Sequence, residues 1–182
     1  MSTATIDATK MELTACRVSF GPLGTEVDLG GTLGSVKMVW KYMKSDIMAD
    51  QTGKSPLDKS VSGFMCDVEF EIAQVKDKTL WAIAFPNSAL VPGTGANVGK
   101  NKMVFKSNIG DKDLSHAKSL VLHPLSMLDA DKSMDYNFPL AVGTAESEIV
   151  MGHDKQQMLK IKMTCYPDAT GVYCTVGDPS LT

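Results

Sequence analysis

Leu29-Gly-Gly-Thr-Leu-Gly-Ser-Val-Lys-Met-Val-Trp-Lys-Tyr42, then Asp50-Gln-Thr-Gly-Lys-Ser-Pro56, then Gly63-Phe-Met-Cys-Asp-Val-Glu-Phe-Glu-Ile72: two long strand-like runs flank a polar connection containing Gly and Pro. An isolated two-stranded ribbon is marginal in water. A ribbon of this length therefore needs partners, inside its own domain or outside it. In the second run Phe64, Cys66, Val68, Phe70 and Ile72 face one way, and Asp67, Glu69 and Glu71 face the other. Period-2 alternation of this kind marks a half-buried strand. One side is core and the other is a row of three carboxylates, spaced about 7 Å apart at twice the strand rise.

Outward from the ribbon the same period dominates, so the chain reads as mainly antiparallel β. Strands are expected near 13–20, 35–44, 60–72, 102–107, 118–125, 135–142 and 157–166, with a short one near 148–151. A last strand near 172–176 is expected to return on 157–166 as a hairpin through Pro167-Asp-Ala-Thr-Gly171. Asp77-Lys-Thr-Leu-Trp-Ala-Ile-Ala-Phe85 is the helix candidate. Asp77 is placed to cap the first turn. Leu80, Ile83 and Ala84 share a face, and Pro86 ends the run. Val91 to Gly99 reads as a loop. No repeat or linker divides the chain. Residues 1–10, small and polar, read as a mobile arm, and 11–182 as a single domain.

The 182 residues suffice for one real core. Hydrophobic residues make up 43% and charged residues 21%, a globular balance. A net charge of −3, with Arg17 the only arginine, argues against a dedicated nucleic-acid reader, which relies on basic faces and bidentate arginines. No apolar run approaches a membrane span. The first ten residues lack the charged start and apolar centre of a signal peptide, so synthesis in a cytoplasm is expected.

The search for catalytic groups gives little. His116, His123 and His153 have no metal-ligand spacing. His123 with Cys66, Cys165 or Cys174 would make a thiol–imidazole pair only if the fold brought them together, and a histidine beside Pro124 reads as structural. Gly93-Thr-Gly95 and Gly30-Gly31 read as turns. The expectation is a non-enzyme without cofactor or metal. Cys16, Cys66, Cys165 and Cys174 each alternate with apolar neighbours and read as buried reduced thiols. In the expected terminal hairpin Cys165 and Cys174 fall opposite each other, at a separation near that of a disulfide. A bond there, or one between subunits through Cys16, is the alternative reading.

Leu29–Val36, Asp50–Pro56 and Ser62-Gly63 with its following strand resemble the first half of the major tail tube proteins of long-tailed bacteriophages. Leu122-His-Pro-Leu125, Tyr136-Asn-Phe-Pro-Leu140, Gly152-His-Asp154, Leu159-Lys-Ile-Lys-Met163, Tyr166-Pro-Asp168 and Val176-Gly-Asp178 are similar to the second half. The order and spacing of these pieces, from about residue 12 to 178, carry the resemblance. With Thr182 as its last residue, the chain is expected to lack the immunoglobulin-like C-terminal domain that some of these proteins carry.

The resemblance implies a β-sandwich or half-open barrel with one flanking α-helix and a long β-hairpin. It implies six copies to a ring, stacked rings and a lumen lined by strands joined across subunits. Expected partners are further copies of the chain, a tape measure protein, tail terminator and baseplate or tip proteins, and a sheath protein if the tail contracts. DNA is present only in transit. The expected location is the virion tail. Tubes of secretion or contractile injection machines, and a monomeric β-sandwich binding module, are the alternatives. Within that reading, Asp50, Gln51, Gly53, Pro56 and Asp58 are expected to reach a neighbouring ring or subunit. Asp67, Glu69 and Glu71 are expected to face the bore, with Glu146 and Glu148 as weaker candidates.

Overall fold

Alternating burial along β4 (Asp58–Ile72) organises the molecule: Cys66, Val68, Phe70 and Ile72 are buried, while Asp67, Glu69 and Glu71 between them are half-buried on the other side. The structure is a computed structural model describing residues 14–48, 55–144, 148–153 and 155–179. Eleven strands, one α-helix and two short 3-10 helices (Gly95–Asn97 and Asp113–His116) are seen among these residues: β1 (Cys16–Gly21), β2 (Val27–Asp28), β3 (Thr32–Ile47), β4, α1 (Lys78–Ala84), β5 (Ser88–Pro92), β6 (Asn101–Phe105), β7 (Lys118–Pro124), β8 (Tyr136–Gly143), β9 (Glu148–Gly152), β10 (Lys155–Tyr166) and β11 (Thr175–Val176).

The main sheet runs β2-β1-β7-β8-β10-β4-β3, with β9 on β10 and β11 on β8; every pairing is antiparallel. The sheet bends far enough for its two ends to approach. The Thr32 hydroxyl donates to the Cys16 carbonyl at 3.3 Å, which ties the start of β3 to β1. The molecule is thus mainly β, with the form of a sandwich or half-open barrel and one short helix. Inside the bend lies one core cluster, drawn chiefly from β1, β4, β7, β8 and β10, with Phe70, Phe138, Leu120, Leu122, Leu159, Ile161 and Met163 fully buried. The expected inward faces of 60–72 and 157–166 supply Cys66, Val68, Phe70, Ile72, Leu159, Ile161, Met163 and Cys165. No helix among the described residues is long and apolar enough to cross a membrane.

Asp77 caps α1: its carboxylate accepts from the Thr79 amide at 2.9 Å and the Thr79 hydroxyl at 2.6 Å. Pro139 lies inside β8, where an internal proline would break a ladder. It sits at the register shift between the β7 pairings of Lys118 and Leu120, and β10 first pairs at Leu140, so no ladder bond needs its missing N–H. Gly34 takes φ +72 at the register shift within β3, a backbone state that glycine adopts without strain.

The terminal hairpin is corrected. The turn forms, with the Asp168 amide donating to the Val172 carbonyl at 3.0 Å. The returning segment, however, pairs as β11 with Tyr136 and Asn137 of β8, not with β10. Both edges of β10 are already taken at that level: Cys165 lies opposite Cys66 on one side and Ala141 on the other. A return strand has no free edge there. Cys165 and Cys174 are therefore not cross-strand partners, and all four cysteines are free thiols. The stretch expected to be a loop from Val91 contains the end of β5, which pairs with β6 in a separate two-stranded sheet.

Candidate functional site

β3 and β4 continue beyond the sheet as a two-stranded ribbon. β10 covers β4 only from Cys66 to Ile72. From Asp58 to Met65, β4 pairs with β3 alone, through Lys41 to Ile47. Among the described residues β3 has no second partner along its whole outer edge. Such edges are templates for pairing with another chain. Charge gives this edge partial protection, with Lys37, Lys41, Lys44 and Asp46 along β3, but no Pro interrupts it. The ribbon also exposes Val39, Trp40, Tyr42, Met43, Ile47, Val61 and Met65, with Trp40 45% and Tyr42 63% accessible.

The exposed aromatics extend the core face rather than standing apart from it. Cross-strand pairing sets Trp40 opposite Cys66 and Tyr42 opposite Phe64, so all share the side of Val68 and Phe70. Phe64 contacts Trp40, Tyr42 and Tyr173, with ring centroids 6.0, 4.7 and 4.8 Å apart. Offset and edge-on contacts of this kind are favourable beyond simple burial. The core thus runs out along the ribbon into a patch that the chain leaves open.

The opposite side carries Asp67, Glu69 and Glu71 in the expected row, but the row is not bare. Lys162 Nζ approaches Asp67 Oδ2 at 3.5 Å, and Lys37 Nζ approaches Glu69 Oε2 at 3.9 Å. Thr164 donates to Asp67 at 3.1 Å. Glu71 stands opposite Lys160 on β10. Lysines from both flanking strands interleave with the carboxylates, so the face is polar and close to charge-balanced. Leu159-Lys-Ile-Lys-Met163 carries the signal for this in the sequence, but the antiparallel register was needed to set those lysines beside the acids. Glu148 falls opposite Lys160 in the β9 register; Glu146 lies outside the described residues.

Of the connecting loop, Asp50, Gln51 and Gly53 also lie outside the described residues. Pro56 and Asp58 are exposed, and Asp58 is the first residue of β4, opposite Ile47. Lys59 Nζ reaches Asp46 Oδ1 at 3.4 Å across the strands at the ribbon tip.

The thiols and histidines do not form a thiol–imidazole pair on the core face. Cys66 and Cys165 are buried and opposed. The hydrogen bond between their side chains lowers Cys66 and raises Cys165, and burial holds Cys165 far above the ordinary thiol range. Burial pushes Cys16 up to about 11 and Cys174 up to about 12. All but Cys66 are thus disfavoured as thiolates, the reactive form. His123 is elsewhere: alternation along β7 puts Leu120 and Leu122 in the core and His123 on the opposite side, where its Nδ1 meets Asp135 Oδ1 at 2.6 Å. The proximity of Asp135 was not readable from sequence, since only the fold of 125–135 brings it back. His116 pairs with Asp111 at 2.8 Å on the surface; His153 is exposed. No group of three His, Cys, Asp or Glu side chains among the described residues is placed to hold a metal ion.

No protein-family model matches the chain, and no curated protein matches it significantly.

Proposed function

We propose that the chain is a self-assembling tube subunit, the tail tube protein of a long-tailed bacteriophage. In this reading rings of the subunit stack into the conduit through which DNA leaves the virion, and the protein is structural, not an enzyme. The observation that carries the reading is the ribbon: a core that continues onto two strands with an uncovered apolar side and unpaired edges, in a chain whose sequence resembles tail tube proteins. Pairing around a closed ring would remove those edges and cover Trp40 and Tyr42. The charge-balanced face of Asp67, Glu69 and Glu71 supports a place in the bore. It offers phosphates no net positive surface, so passing DNA would not be held by counterion release.

The double substitution Trp40→Lys with Tyr42→Lys tests this. Both side chains are exposed in the single chain, so the variant is expected to fold. Sedimentation velocity is expected to show large polymers for the unaltered protein and a folded monomer for the variant. Polymers of equal size from the variant would overturn the ribbon as the assembly surface.

A further inference from the structure

The two ends of the β7–β8 hairpin are unlike. β7 leads from the 76–117 segment, which carries α1, β5 and β6, to the 125–135 loop, and β8 leads back. The 76–117 segment sits at the Gly143 end of β8, where Phe85, Phe105, Lys106 and Asp113 gather around Gly143 and Thr144. The 125–135 loop sits at the Tyr136 end. β11 joins it there, and the Gly177 amide donates to the Asp135 carbonyl at 2.8 Å. The 7 residues of β7 set the two ends about 20 Å apart.

Their charges are opposite. From Lys76 to Lys118 seven lysines stand against three aspartates, whereas 125–135 and 168–179 hold five aspartates and one lysine. The aspartates of the lysine-rich end are engaged within the chain: Asp77 caps α1, Asp111 pairs with His116, and Asp113 accepts from the Tyr166 hydroxyl at 2.9 Å. Lys102, Lys106 and Lys112 are exposed, and their ammonium groups have no carboxylate partner among the described residues. At the aspartate-rich end Arg17 reaches Asp129 at 2.9 Å, and Asp131 accepts from the Ser133 amide at 3.0 Å while staying exposed. Both ends also leave large apolar side chains in solvent. Phe105, Ile109 and Leu114 do so at the first, with Ile109 98% accessible; Leu125, Leu128 and Val176 do so at the second, with Leu128 80% accessible.

We propose that these ends dock on one another between copies, the lysine-rich end of one on the aspartate-rich end of the next. The inference rests on the reading of the chain as a tube subunit. It supplies the contact between successive rings, whereas the ribbon supplies the contact within a ring. Charge complementarity selects a second copy as the occupant. Each end carries apolar side chains among charges of one sign, and the other end carries the matching sign, which fixes partner and polarity. Because the two surfaces differ and lie at opposite ends, the contact is heterologous, does not close, and repeats along one axis. A single contact between mostly exposed charges is weak. The copies of a ring engage in parallel, so their contacts reinforce one another. That is why the Trp40 and Tyr42 variant, which forms no ring, is expected to stay a monomer although its ends are unaltered.

The test is charge reversal in the full chain, followed by sedimentation velocity at low salt, where exposed charges are least screened. One variant carries Lys102→Glu, Lys106→Glu and Lys112→Glu; a second carries Asp129→Lys and Asp131→Lys; a third carries all five. Every changed side chain is exposed, so the variants are expected to fold. The first two set like charges against each other and are expected to lose all species larger than one ring. The third restores opposite charges with the polarity reversed and is expected to recover long polymers, a rescue that a merely structural role for these residues would not give. Long polymers from the first two variants would leave the two patches to other partners and overturn the proposal, with the ribbon reading untouched. Failure of the third to recover polymers that the first two have lost would overturn it as well. The Trp40→Lys with Tyr42→Lys variant reads the ribbon separately: undiminished polymers there, with charge reversal still effective, would remove the ribbon and keep the end-to-end contact.

Discussion

Asp77 shows how one side chain decides a local structure. The helix it starts is only seven residues long, too short to stand alone in water. Its carboxylate satisfies the Thr79 amide and hydroxyl. Asp77→Ala is expected to destabilise the protein by about 1 kcal/mol, the usual value of an N-cap, as read from denaturant midpoints. The same bonds hold the Asp77 carboxyl below its usual range. Its folded-state value lies below its unfolded one. The contribution is therefore complete at neutral pH, begins to fall near the ordinary aspartate value of about 3.9 and is lost as pH drops through the folded value. Asp77→Asn, which keeps a capping oxygen without the charge, should remove that acid dependence while keeping most of the stability.

At the scale of elements, β4 and β10 separate what sequence carries from what only register supplies. The alternation Phe64, Cys66, Val68, Phe70, Ile72 names the buried side of β4, and Leu159, Ile161, Met163, Cys165 does so for β10, because a strand's two faces are written locally. Which strands are neighbours is not local. That is why the sequence shows the lysines but not their placement beside Asp67 and Glu69, and why the segment after Gly171 was expected to pair with β10 when both of its edges were filled. His123 beside Pro124 was expected to be structural, but its partner Asp135, twelve residues on, could not be read from the sequence. The interleaved charges make a specific prediction. Changing Asp67, Glu69 and Glu71 to lysine would set three new cations beside Lys37, Lys160 and Lys162. The variant is expected to retain DNA at low salt, with an affinity that falls steeply as salt rises, while the unaltered protein does not. A filter-binding titration that finds no salt-dependent retention by the variant would place this row away from any surface that DNA can reach.

At the scale of the whole molecule, the chain builds one core and then fails to enclose it. Phe64 bridges the two regimes: behind it Cys66, Val68 and Phe70 are buried, and beyond it Trp40 and Tyr42 are open. A monomer that ended its life as a monomer would expose that patch and both ribbon edges, a recognised liability. The proposed closed ring of copies would remove both at once. Electron microscopy of the purified protein at high concentration tests this most directly. The account predicts hollow tubes of stacked sixfold rings, with the β3–β4 ribbons joined edge to edge around the bore and the row of Asp67, Glu69 and Glu71 facing it. Compact single particles at every concentration, with Trp40 and Tyr42 still open to solvent, would contradict it.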